Sequence, residues 1–121
     1  MFNVWLLLVL FLVGCDGNTP LMKHAQEGET LPIQSLLAAG AHLDEQNKYG
    51  WTALMHAARN GHTEVLRVLL DAGAKIDLRD ESGNTALIRA VSKGQLAAVT
   101  LLLQRGAALE LADANGWTAL F

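Results

Sequence analysis

The side chains able to do chemistry are few and scattered along this chain. Cys15 is the single cysteine among 121 residues, so it can form neither an intramolecular disulfide nor a cysteine-based metal site. The four histidines, His24, His42, His56 and His62, show no H-E-x-x-H spacing and no tight pairing with carboxylates, and they predict no metal. There is no G-x-S-x-G and no phosphate-binding loop. The acidic residues fall in turn segments and on helix surfaces, where water is the default partner. The sequence therefore predicts no catalytic residue, no cofactor and no small-molecule substrate. What remains is recognition chemistry, carried by Tyr49, Trp51 and Trp117, since Trp, Tyr and Arg dominate interface energetics.

The elements that must position these aromatics are written in a repeat. Thr19, Thr52, Thr85 and Thr118 are each separated by 33 residues, and each is followed two places later by a leucine: Leu21, Leu54, Leu87 and Leu120. The same step links Gly28, Gly61 and Gly94, then Gly40, Gly73 and Gly106, then Gly50, Gly83 and Gly116. Self-similarity at a fixed period of this length is the mark of a stacked solenoid. Within the second unit, Thr52 is placed to cap a first helix, and Leu54, Met55, Ala57 and Ala58 give that helix an apolar face with small residues for close packing. Gly61 ends it in a conformation glycine tolerates. Val65, Leu66, Val68, Leu69 and Leu70 form a second, more apolar helix stopped by Gly73. Between units, Asn47-Lys48-Tyr49-Gly50, Asp80-Glu81-Ser82-Gly83 and Asp113-Ala114-Asn115-Gly116 carry a β-turn signal, an Asn or Asp three residues ahead of Gly.

The stretch from Gly50 to Ala74 resembles the ankyrin consensus, G-x-T-P-L-H-x-A-A-x-x-G-H followed by V-x-x-L-L and G-A-D. The resemblance covers Thr19 to Phe121. It implies an all-α repeat fold, an ankyrin solenoid of stacked helix-turn-helix pairs with β-turn fingers, made of three repeats plus an incomplete fourth over residues 19–121. The family histidine of T-P-L-H is replaced by Met22, Met55, Ile88 and Phe121, so apolar packing is expected where that histidine forms hydrogen bonds. The first repeat is the most eroded, with Pro32 in its second helix and His24 where Ala57 and Ala90 stand in the others. The fourth stops within its first helix, which is expected to leave Leu103 partly uncovered and suggests that the chain is a fragment. An alternative reading follows, in which this is the N-terminal part of a longer ankyrin-containing protein with an activity downstream of Phe121.

Ankyrin partners dock on the fingers and on the exposed side of the first helices. Carried over by position, the finger candidates are Lys48, Tyr49, Trp51, Glu81, Asn84 and Trp117, with Ser82, Ala114 and Asn115 beside them. The helix candidates are Arg59, Asn60 and Lys93, with Gln26, Glu27 and Ser92 at equivalent places. The implied function is non-enzymatic binding of another protein. Lys23, His56 and Arg89 share one repeat position, and with neighbouring helices about 8–10 Å apart they are expected to form a weakly basic column on a helix face.

The front of the chain is a different material. Phe2 to Val13 is apolar except for Asn3, and no charged side chain occurs from Met1 to Cys15. A bilayer-spanning helix needs about 20 apolar residues, whereas this run has the length of a signal-peptide core. It closes with Leu12-Val13-Gly14-Cys15, which resembles a bacterial lipobox. The resemblance implies a lipoprotein-type signal peptide over residues 1–14, acylation (palmitate included) of Cys15, a short tether over 15–18, and a lipid-anchored protein on the periplasmic or outer face of a cell membrane. A net charge of −3 gives no basic field of the kind nucleic-acid binding uses.

Overall fold

The computed structural model describes residues 17–108, so Cys15, Trp117 and the start of the fourth repeat lie outside the described range. Six helices follow in order: α1 (Pro20–Glu27), α2 (Thr30–Ala38), α3 (Ala53–Asn60), α4 (Thr63–Asp71), α5 (Ala86–Ser92) and α6 (Leu96–Gln104). Helices of fewer than about 12 residues are marginal in isolation, so packing must hold these.

Each first helix opens on the threonine that sets the period. The hydroxyls of Thr19, Thr52 and Thr85 accept hydrogen bonds from the amides of Met22, Met55 and Ile88 at 3.2, 3.3 and 3.3 Å. This satisfies one of the orphan donors at the helix start. Gly28 and Gly61 close α1 and α3 in the left-handed conformation, at φ of +79° and +72°. The glycine at Gly61 has a second purpose, since a Cβ there would lie 2.5 Å from Gln95 Oε1. The side chain of the next repeat reaches across this gap, and Gln95 Nε2 donates to the Arg59 carbonyl at 3.1 Å. His62, one repeat earlier, makes the equivalent contact to the Gln26 carbonyl at 3.0 Å.

The helices form two layers. In the inner row α1, α3 and α5 lie side by side, and in the outer row α2, α4 and α6 do the same, each helix also packing on its own partner. Ala25, Ala57, Ala58 and Ala90 have no exposed surface, which lets the inner helices approach closely, while Ile33, Leu66, Leu69 and Leu102 fill the space between layers. Met22 and Met55 are buried and Ile88 packs against the core, so apolar side chains do take the place of the family histidine. Pro32 falls in the first turn of α2, where its missing N–H breaks no helical bond. His24 is half-buried at the outer end of the stack, and Nδ1 lies 3.1 Å from Glu29 Oε1. None of the described helices is long and apolar enough to cross a membrane.

Two complete fingers project between the pairs. In each, the glycine amide donates to the carbonyl three residues back, Gly50 to Asn47 and Gly83 to Asp80, both at 2.9 Å. The fingers are joined directly, because the Glu81 amide donates to the Tyr49 carbonyl at 3.0 Å. Gln46 strengthens the seam by donating from Nε2 to the carbonyls of Gly50 and Arg79, at 2.8 and 2.9 Å. Gly17 and Asn18, read from sequence as the end of a tether, already belong to the stack. Gly17 adopts φ +76°, matching Gly50 at +78° and Gly83 at +79°, and Asn18 is 5% exposed.

Candidate functional site

The fingers and the inner helices enclose a cleft of 270 Å³ lined by Asn18, Gln26, Asn47, Tyr49, Trp51, His56 and Arg59. Its outer wall comes from the finger that opens the second repeat, Asn47–Gly50 (the second finger, with Asp80–Gly83 the third), which is held by one side chain. Asn47 Oδ1 accepts from the amides of both Tyr49 and Trp51, each at 2.9 Å, an Asx turn that orders the finger locally. Asn47 Nδ2 then donates to Asn18 Oδ1 at 2.7 Å, tying this finger to the start of the first repeat. Tyr49 stands 52% exposed on the wall, with Lys48 Nζ 5.1 Å from its ring centre.

The floor is formed by Trp51 and His56, and a cation of the next repeat backs it from outside the cleft lining. Trp51 and His56 approach to 4.8 Å between ring centres at 40°. The guanidinium of Arg89 covers the Trp51 ring at 4.4 Å, a cation–π geometry. Arg89 Nε donates to Asp80 Oδ2 at 2.9 Å, and the Asp80 carboxylate has no exposed surface. The other carboxylate oxygen, Oδ1, accepts from the amides of Ser82 and Asn84 at 2.9 and 3.0 Å. Asp80 thus does for the third finger what Asn47 does for the second, and anchors Arg89 as well.

This arrangement corrects the basic column expected of Lys23, His56 and Arg89. His56 is only 7% exposed, beneath Trp51, and Arg89 is neutralised by Asp80. Residues at one repeat position share a helix face, yet that face is here covered by the fingers.

Of the nine binding candidates, the structure brings Tyr49, Trp51 and Arg59 to one cleft. Trp51 is half-buried and contributes to the floor and to the core, while Tyr49 is the more open of the two aromatics. Arg59 occupies the last turn of α3. Asn60 beside it is used by the scaffold, its amide donating to the Gln26 carbonyl at 3.0 Å. Asn84 is fixed in the Asp80–Gly83 turn, its carbonyl accepting from the Asp80 amide and its own amide donating to Asp80 Oδ1. Lys48 and Glu81 are exposed on adjacent fingers, and Lys93 is exposed at the end of α5. Trp117 and Cys15 lie outside the described residues. Asn18 and Asn47 were missed as lining residues. A signal for Asn47 was present, since the same Asx-turn reading that locates the finger also places its amide at the finger base.

A family model described as ankyrin repeats (3 copies) matches residues 3–80. The chain belongs to the ankyrin-repeat family. A second model, described as ankyrin repeats (many copies), matches residues 60–103. No curated protein matches this ankyrin chain. Its repeats make it a protein–protein interaction module, in a family that is in general non-enzymatic.

One group of titratable side chains gathers away from the cleft, at the outer end of this ankyrin stack. His24, Glu27 and Glu29 bring one ligand-type atom each within 4.8 Å of one another, though both carboxylates are exposed. A hydrogen bond between the carboxyls, then the charge of Glu29, raises the Glu27 pKa above its ordinary value. The same hydrogen bond, then that from His24, lowers the pKa of Glu29. Glu29 already has His24 as a partner at 3.1 Å, and the interaction between the two carboxyls accounts for their opposite shifts.

Proposed function

We propose that this ankyrin chain is a lipoprotein, acylated on Cys15 after removal of residues 1–14, which binds or regulates another protein at the periplasmic or outer face of a bacterial membrane. It does so without catalysis, cofactor or small-molecule substrate, and without binding nucleic acid. The observation that carries the binding half of this reading is the cleft bounded by Tyr49, Trp51 and Arg59. Hydrogen bonds through Asn47 and Asn18 fix its wall before any partner arrives, so little ordering entropy is lost on docking. The anchoring half rests on the lipobox-like Leu12-Val13-Gly14-Cys15 alone.

The two halves are tested separately. Intact mass of protein extracted from membranes should correspond to residues 15–121 plus acyl chains. An unmodified chain starting at Met1 would refute the anchor and leave the binding module untouched. For the module, a photo-crosslinking residue replacing Tyr49 should give one dominant protein adduct in cells. The same group placed at exposed Gln104 on the outer row should not, and equal labelling from both positions would remove the cleft from consideration.

A further inference from the structure

We propose that the cleft receives a carboxylate side chain of the partner, with Arg59 as its counter-ion and Tyr49 as the apolar wall beside it. This rests on the cleft being the docking site.

The charge pattern of the arginines leads to it. Arg67 lies 3.4 Å from Glu64, Arg89 pairs with Asp80, and Arg105 lies 2.8 Å from Asp71. Arg59 and Arg79 make no ion pair among the described residues, although the whole chain carries a net charge of −3, and of the two only Arg59 is half-buried and lines the cleft. No carboxylate is among the described residues that line the cleft. In an acidic protein, a half-buried guanidinium facing a cleft whose described lining holds no acid is suited to take its counter-charge from a partner.

The surroundings specify what kind of anion. Arg59 is half-buried, so a bond to it forms in a medium less screening than water and is strengthened accordingly. The planar fork of arginine matches a carboxylate through two parallel N–H···O bonds. Phosphorylated segments are captured by clusters of arginines, whereas this cleft offers one. Lys48, lying over the Tyr49 ring, adds positive charge at the mouth and steers an acidic segment inward. At 270 Å³ the space is below the roughly 300–1,000 Å³ of small-molecule sites, and it suits one or two side chains of a docked polypeptide. The occupant is therefore an acidic segment of a protein partner, a Glu or Asp with an apolar residue next to it.

The test uses the intact chain in detergent micelles. The probes are two short blocked peptides that differ only in a central glutamate or glutamine between leucine and phenylalanine. Binding is followed by NMR through the Arg59 Nε–H and Tyr49 ring resonances, up to millimolar peptide. The glutamate peptide should bind about tenfold more tightly than the glutamine peptide. Arg59→Gln should erase that difference and Arg59→Lys should keep part of it, both with an otherwise unchanged amide spectrum. Added salt should narrow the gap. Equal binding of both peptides, abolished by Tyr49→Ala, would overturn the carboxylate assignment while leaving the cleft as a docking site. Absence of any shift at Arg59 and Tyr49 with either peptide would overturn both.

Discussion

Arg89 lies across the indole of Trp51, 4.4 Å from ring centre to guanidinium carbon, and so links the third repeat to the floor of a cleft in the second. Asp80 holds it there with a fully buried carboxylate that also accepts two amides of its own turn. The second repeat carries Asn47 and His56 at the equivalent positions, 33 residues before Asp80 and Arg89. Asp80→Ala strands a half-buried cation and two turn amides, and should cost about 3 kcal/mol of stability. Asp80→Asn keeps an acceptor for the turn and should cost about half as much. Combining Asp80→Asn with Arg89→His installs the residues found at these positions in the second repeat. Urea unfolding of the double variant should show a loss smaller than the sum of the singles by more than about 0.5 kcal/mol. Simple additivity would show that the two residues do not act as a unit.

Gly50 and Gly73 both have positive φ, +78° and +98°, but only one is crowded. A Cβ on Gly50 would lie 2.8 Å from the Glu81 amide nitrogen and 2.9 Å from Asp80 Cα, whereas nothing lies within 4 Å of one on Gly73. Gly73→Ala should cost about 1 kcal/mol, the left-handed penalty alone. Gly50→Ala should cost at least about 1 kcal/mol more, because backbone must move and the Glu81–Tyr49 hydrogen bond with it. Equal unfolding midpoints for the two variants would mean that the fingers are not stacked as described.

The fold was legible because one period carries it. Thr52, Gly61 and Gly73 each perform a local task, capping or stopping a helix, that can be read without knowing what packs against it. The cleft was legible only in part. Sequence places Tyr49, Trp51 and Arg59 at exposed consensus positions, yet it is silent on which side chains the scaffold consumes. Asn60 is drawn to the Gln26 carbonyl and Arg89 to Asp80 by contacts 34 and 9 residues apart, and Asn18 is reached by Asn47 from 29 residues away. Such partnerships depend on the distance between neighbouring helices and fingers, which periodicity alone does not provide.

The carboxyls of Glu27 and Glu29 give the stack a pH dependence of opposite signs. The raised pKa of Glu27 favours the folded state in acid, and that contribution is lost as pH rises through the folded value. The lowered pKa of Glu29 contributes above its unfolded value and is lost as pH falls through the folded one. The charge of Glu29 is one cause of the raised Glu27 value, so the ionised carboxyls repel. Glu27→Gln retains a donor for Glu29 and removes the repulsion, so Tm should rise at pH 7. The gain should disappear at about pH 3, below the ordinary carboxylate range, where Glu27 carries its own proton. An identical shift in Tm at both pH values would show that the two carboxyls do not communicate.

The two aromatics of the second finger should separate when stability and binding are measured on the same variants. Trp51 is half-buried, with Arg89 over one face and His56 4.8 Å away. Trp51→Ala should therefore cost about 2–3 kcal/mol of stability, short of the value for a fully buried ring, while Trp51→Phe keeps a face for Arg89 and should cost under about 1.5 kcal/mol. Tyr49 is 52% exposed and its backbone, not its ring, joins the fingers. Tyr49→Ala should leave the unfolding midpoint within about 0.5 kcal/mol of wild type yet weaken partner binding by about 2 kcal/mol, the loss of an interface anchor. Denaturant melts paired with titration of the crosslinked partner decide the matter. If Tyr49→Ala destabilises the fold as much as Trp51→Ala, the ring is structural and the cleft loses its outer wall as a recognition element.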